Sequence, residues 1–252
     1  MPRWYITVAL NEMKKCLIAL STVAMLALCS CSKSDGDPIT QEFSINGSYT
    51  ELVVEDAFDV TVSDAVSQVT VTAGDRIMSK VKVEKSGNTL KIYLKGWTVN
   101  HGTMKVLLPY NPELKKLDLS GASDYHSVYP IIGQKVEVEL SGASDFFGYV
   151  EADELELDLS GSSEATIDGV ATKLELNISG SSELEKKVVN NRYSLTCDQC
   201  ECSISGSSSA YIHCDGTITG SISGSSSLHF TGTAFTADCN TSGGSEIIHD
   251  VL

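Results

Sequence analysis

Three groups of side chains in this 252-residue sequence have types and spacings that could do chemistry. The first is the run TCDQCEC at 196–202, followed by Cys214 and Cys239. Thiols two or three residues apart can share a zinc ion, pair as disulfides in an oxidising compartment, or stay reduced as small buried apolar groups. On a strand, Cys200 and Cys202 point to the same side. Of the pairings, Cys197 or Cys200 with Cys214 is the one that adjacent segments allow. The three readings stay open, and no metal ligand set is assigned.

The second group is acidic: Asp124, Asp145, Glu164 and Glu183, each at the same place in a recurring phrase. Stacked about 4.8 Å apart, like charges repel, and a cation between them would relieve the repulsion. The alternatives are a weak Ca²⁺ column, an attractor of basic partners, and a solvated face whose charge prevents association.

The third is Cys31. Residues 13–31 read MKKCLIALSTVAMLALCSC, a basic start followed by an apolar run from Cys16 to Leu28. Such a run is shorter than the roughly 20 residues needed to span a bilayer, so it reads as a signal-peptide core. The preceding 12 residues fit no part of a leader, and Met13 is the expected start. Leu28, Cys29 and Ser30 ahead of Cys31 resemble a bacterial lipobox, which implies residues 1–30 as signal peptide and Cys31 as the lipidated N-terminus. Residues 31–42 then form a polar tether, with Asp35 and Asp37 resembling an acidic surface-export signal. The anchor makes a membrane the first expected partner, through acyl chains.

Catalytic sets are missing at the sequence level. No G-x-S-x-G elbow occurs, since GSISG at 220–224 centres on Ile222. His101, His126, His213, His229 and His249 fall at unrelated places in the repeat, and Arg192 is the lone arginine of the repeats. The expectation is no enzyme, no catalytic residue and no cofactor. The formal charge is −15, and −17 without residues 1–30, which argues against nucleic acid as partner.

What positions these residues is a phrase that returns seven times: LDLSGASD at 117–124, VELSGASD at 138–145, LDLSGSSE at 157–164, LNISGSSE at 176–183, CSISGSSS at 202–209, GSISGSSS at 220–227 and CNTSGGSE at 239–246. Its first serines, Ser120, Ser141, Ser160, Ser179, Ser205, Ser223 and Ser242, are spaced 21, 19, 19, 26, 18 and 19 residues apart. A period of about 20 marks a solenoid, in which each unit buries its apolar face only against its neighbours. One and three places before the first serine the residues are mostly aliphatic, as in Leu157 and Leu159. The places between carry Asp, Glu, Asn or Ser. That alternation is a strand with one face in the core and one in water. Five places after the serine the pattern turns apolar again, as in Phe146 and Leu228, giving a second strand beyond a Ser-Gly-small-Ser corner. Cys202 and Cys239 share the inward place three before the serine, two steps and about 9.6 Å apart, out of disulfide range. Two strands and their corners in about nineteen residues read as one coil of a parallel β-helix, and seven coils stack roughly 29 Å tall.

Before the repeats, residues 43–112 alternate apolar and polar residues in short runs, including FDVTVS, VTVTAG and TLKIYLKG. They read as a less regular β region with no helix, with Lys85-Ser86-Gly87-Asn88 as a hairpin corner. Trp97, in a loop with His101, presents an indole suited either to rim packing or to stacking on a sugar ring.

From about Phe43 to Leu252 the sequence resembles the putative auto-transporter adhesin, head GIN domain family of Bacteroidetes and other bacteria. The resemblance rests on DVTVS at 59–63 with VTVTAG at 69–74, TLKIYLKG at 89–96, KVLLP at 105–109 and the LxLSGAS phrase. It implies an all-β, right-handed parallel β-helix-like solenoid over 113–252 and a cell-envelope, outer-membrane adhesin that binds a glycan or protein partner. A ligandless structural spacer or stalk is the rival reading, and a polysaccharide-active enzyme the third. The sequence departs from the family pattern at Cys202–Asn240, where cysteines replace inward aliphatics, and in its longer fourth interval. Nothing in it fixes an oligomeric state.

Overall fold

The computed structural model describes residues 35–96 and 102–252. The leader, Cys31, Trp97 and His101 lie outside the described residues. The protein is all-β: among the described residues there are twenty strands and one helical turn, and eighteen of the strands join in a single sheet.

The first seven strands are β1 (Pro38–Phe43), β2 (Glu51–Val54), β3 (Phe58–Ser63), β4 (Val69–Gly74), β5 (Val81–Ser86), β6 (Thr89–Leu94) and β7 (Met104–Pro109). β5 and β6 form the antiparallel hairpin expected at Lys85–Asn88, with Gly87 at φ +58°. β1 pairs antiparallel with β4, so Pro38–Glu42 of the segment read as a tether lies in a strand. The expectation of no helix here is corrected by α1 (Asp75–Met78), a single turn that tucks Ile77 and Met78 into the core. One turn is too short to leave a 3.6-residue period in the sequence.

The repeats supply β8 (Lys116–Leu119), β9 (Asp124–His126), β10 (Ile131–Leu140), β11 (Asp145–Leu159), β12 (Glu164–Ile178), β13 (Glu183–Leu184), β16 (Leu195–Ile204), β17 (Ser209–Ile222), β18 (Ser227–Thr231), β19 (Phe235–Thr241) and β20 (Glu246–His249). Successive repeats pair in parallel, residue for residue. One ladder runs Leu117, Val138, Leu157, Leu176, Cys202, Gly220, Cys239. A second, past the corner, runs Tyr125, Phe146, Ala165, Leu184, Ala210, Leu228, Ile247. The inward columns read from the phrase are thus in register along the stack. Leu117, Val138, Leu157 and Leu176 are wholly buried, each contributing about 1.5–3 kcal/mol from burial.

The middle repeats carry more strand than the two short pieces expected. β11 and β12 are fifteen residues long and add a third ladder, Gly133, Ala152, Ala171, Cys197, Cys214. Its small residues and the glycines before it, Gly148 and Gly169, hide the alternation that a strand normally shows.

The N-terminal strands continue the same ladders. β2 lies between β6 and β8, parallel to both, and β3 lies between β7 and β9. Val60 therefore stands between Val106 and Tyr125, and one hydrophobic cluster runs from Tyr49 to Phe230.

The Ser-Gly-small-Ser corner holds the stack by two devices. Its glycines sit at φ between +79° and +86° from Gly121 to Gly224, a conformation that costs other residues about 1–2 kcal/mol. The fourth residue is a buried serine: Ser163 donates its hydroxyl to the Ser160 carbonyl at 2.8 Å, while its N–H donates to Ser182 Oγ one coil on, at 3.2 Å. Ser144 and Ser208 repeat the first bond at 2.9 Å each.

The 26-residue fourth step holds a small separate hairpin, β14 (Val188–Val189) and β15 (Arg192–Tyr193). Asn190 and Asn191 turn it at φ +53° and +60°, as a two-residue hairpin turn of the primed type requires.

Candidate functional site

Outward side chains of the second ladder form the richest chemical surface. The acidic column stacks as expected: Asp124 faces Asp145, Asp145 faces Glu164, and Glu164 faces Glu183. Asp59 of β3 extends it by one rung, opposite Asp124, a neighbour 65 residues away that the repeat pattern does not reveal. Burial and then Asp145 push the Asp124 carboxyl above its ordinary range. Burial, followed by Asp145, Glu185 and Glu183, does the same to Glu164. The column therefore stores repulsion that a cation or basic group would relieve. Among the described residues, no three or more His, Cys, Asp or Glu side chains are grouped to hold a metal ion.

Beside this column runs a mixed polar and aromatic strip. Lys187 pairs with Asp168 at 2.7 Å and lies 5.0 Å from the centre of the Phe147 ring. Tyr211 stacks on His229 at 4.7 Å, with 20° between planes. Rings stacked on one another along the ladder occupy each other's faces, so they favour coil stacking over face-on contact with a sugar.

The hairpin bends back over this strip. Tyr193 is fully buried: its N–H donates to Thr231 Oγ1 at 3.2 Å, its ring meets Tyr211 edge-on, and its hydroxyl donates to Asp250. His229 Nδ1 also contacts Asp250, at 3.0 Å. Burial would raise the Asp250 carboxyl, but the hydrogen bonds from Tyr193 and His229 outweigh it and hold it below its ordinary value. The sequence signals this cluster only as an over-long interval.

The first ladder presents ion pairs along its N-terminal half: Lys116 with Glu137 and Glu139, and Lys135 with Glu137 and Glu156, between 2.5 and 3.2 Å. All are partly exposed, so each is worth about 0–1 kcal/mol. Beyond them an open groove of about 180 Å³ follows the corner, lined by Asp158, Ser160, Asn177, Ser179, Ser203 and Ser205. Leu159 and Ile178 line it too, so its surface is part apolar, with the hydroxyl, amide and carboxylate groups available for hydrogen bonding.

The cysteines face inward. Cys197, Cys200, Cys202 and Cys214 are buried, Cys239 is half-buried, and all five are thiols. Cys197 stands directly opposite Cys214, whereas Cys202 and Cys239 are separated by Gly220. Hydrogen bonds from Cys200 and Cys214 hold the Cys197 thiol well below its usual value, and Cys200 is pushed up by its bonds to Cys197 and Cys202.

Repeats paired in parallel, each with one glycine corner, make this an all-β protein whose outward columns recur along a single sheet. Residues 48–234 match the model of the family described as "Putative auto-transporter adhesin, head GIN domain", and the chain belongs to that family. Among solved structures, a putative adhesin from Bacteroides fragilis superposes with a TM-score of 0.73 at 17% identity, covering 85% of this chain and 97% of its own. A putative adhesin from Parabacteroides distasonis gives 0.67 at 19%, covering 86% and 98%. A structure from the same organism named a putative lipid binding protein gives 0.62 at 22%, covering 85% and 97%. At these identities the likeness is one of fold. A comparison with curated proteins found no match. No helix among the described residues is long and apolar enough to cross a membrane.

Proposed function

We propose that this chain is a lipid-anchored cell-envelope protein of adhesin type, which binds a glycan or protein partner through the outward columns of its coils and performs no catalysis. In this reading residues 1–30 are removed, Cys31 carries the acyl chains in the outer membrane, and a short tether leads to an N-terminal β region that begins with β1 at Pro38 and runs to 112. Residues 113–252 wind as a right-handed parallel β-helix. The observation that carries the reading is the family match over 48–234, together with the recurring acidic and hydroxyl-bearing outward positions of the repeats. The carboxylate column and the serine groove favour a neutral or basic partner over an anionic one.

The test is a binding screen of residues 32–252 against mucins and a glycan array with neutral, amino-sugar and sulfated members. Saturable binding to neutral or amino-sugar members is expected, weakened by Glu164→Lys. An absence of saturable binding to any glycan or envelope protein would instead make the chain a spacer. Cys31→Ala in the full chain should move the protein from the membrane to the soluble fraction.

A further inference from the structure

The innermost column of the third ladder changes character along the stack. Gly133, Ala152 and Ala171 give way to Cys197 and Cys214, each directly opposite the next. Both thiols are at most 1% exposed. Adjacent strands stand about 4.8 Å apart, inside the roughly 4.4–6.8 Å between Cα atoms that a disulfide spans. Cys200 also hydrogen bonds to Cys197, but the two lie three residues apart on one strand and not on facing rungs. Cys200 and Cys202 lie two residues apart on one extended strand, and Cys239 is separated from Cys202 by the rung of Gly220. The Cys214 thiol bonds to Cys197 and also lies 3.6 and 3.8 Å from the carbonyls of Asp198 and Thr217.

We propose that Cys197 and Cys214 are a disulfide-forming pair that joins the coil following the β14–β15 hairpin to the next coil. The oxidant is a disulfide-bearing thiol compound or thiol oxidoreductase. The Cys197 thiolate attacks one sulfur of the donor disulfide, forming a mixed disulfide and expelling the first donor thiolate. Cys214 then loses its proton and its sulfur attacks that of Cys197, closing the intrachain bond and expelling the second donor thiolate. Two S–H bonds are lost, one S–S bond forms, and the donor takes two electrons and two protons. The lowered pKa of Cys197, held down by hydrogen bonds from Cys200 and Cys214, makes it the attacking sulfur, and the exchange takes place while the repeats wind or open.

Purified full chain equilibrated with oxidised glutathione, then alkylated and digested without reduction, should yield a peptide linking Cys197 to Cys214, with Cys200, Cys202 and Cys239 alkylated. Its unfolding midpoint should fall by roughly 5–10 °C on adding dithiothreitol. Cys214→Ser should abolish that difference, and Cys200→Ser should keep it. Alkylation of all five thiols, a glutathione adduct remaining on Cys197, or a link from Cys197 to Cys200 would each overturn the proposal. Peptide mapping of the unmodified sequence decides the matter even if Cys214→Ser fails to fold.

Discussion

The carbonyl oxygen of Gly142 occupies the place that a side chain on Gly161 would need. A Cβ at position 161 would stand 2.4 Å from it, and the backbone there is at φ +81°. The same contact recurs between Gly161 and Gly180, again at 2.4 Å. Stacking and dihedral thus demand glycine independently. Gly161→Ala should cost about 3 kcal/mol or more, read from urea unfolding, whereas Ser162→Ala at the exposed neighbouring position should change stability by under about 0.5 kcal/mol.

The buried corner serine is a second point of attack. Ser163 lends its hydroxyl to the Ser160 carbonyl within its own coil and is itself joined to Ser182 of the next. Ser163→Ala leaves one carbonyl short of a donor and should cost about 1–3 kcal/mol. Ser163→Val adds bulk to a closed corner and should cost more. Denaturant midpoints of the two variants would rank them.

Tyr193 fastens the inserted hairpin to coils 38 and 57 residues further along the chain, through Thr231 and Asp250. Tyr193→Ala should destabilise the protein by about 3–5 kcal/mol and open residues 188–192 to protease. Tyr193→Phe keeps the ring and should lose only about 1–2 kcal/mol. Limited proteolysis alongside thermal melts separates loss of the clasp from global unfolding.

Glu164 and Asp124 have folded-state pKa values above their unfolded ones, through burial and neighbouring carboxylates. A raised carboxyl binds protons more tightly in the folded chain, so its contribution to stability falls as pH rises from the ordinary carboxylate range through the raised value. Glu164→Gln should therefore stabilise the protein at neutral pH. The gain should vanish below the ordinary carboxylate range and shrink in high salt. Urea titrations at the two pH values check the sign, and a destabilised Gln variant at neutral pH would show that something neutralises the column.

In the repeats the sequence and the structure agree closely. Leu157 and Leu159 face inward, Asp158 faces out, and Glu164 lies next to Asp145, because a fixed repeat length forces equivalent residues into register. The third ladder was not legible, because Gly148, Ala152 and Gly169 carry no alternating pattern, and α1 was too short to show a period. The hairpin read only as added length.

By itself the sequence determined the repeat: which side chains enter the core, where the chain turns, and why glycine and serine hold the corner. These follow from local periodicity and backbone sterics, which act within some twenty residues. Only the tertiary structure decided that Glu51 lies beside Lys116, that Asp59 extends the acidic column, that Tyr193 is buried under Asp250, and that Cys197 faces Cys214. Those pairings depend on how one repeat is laid on another, which the order of residues within a single repeat does not record.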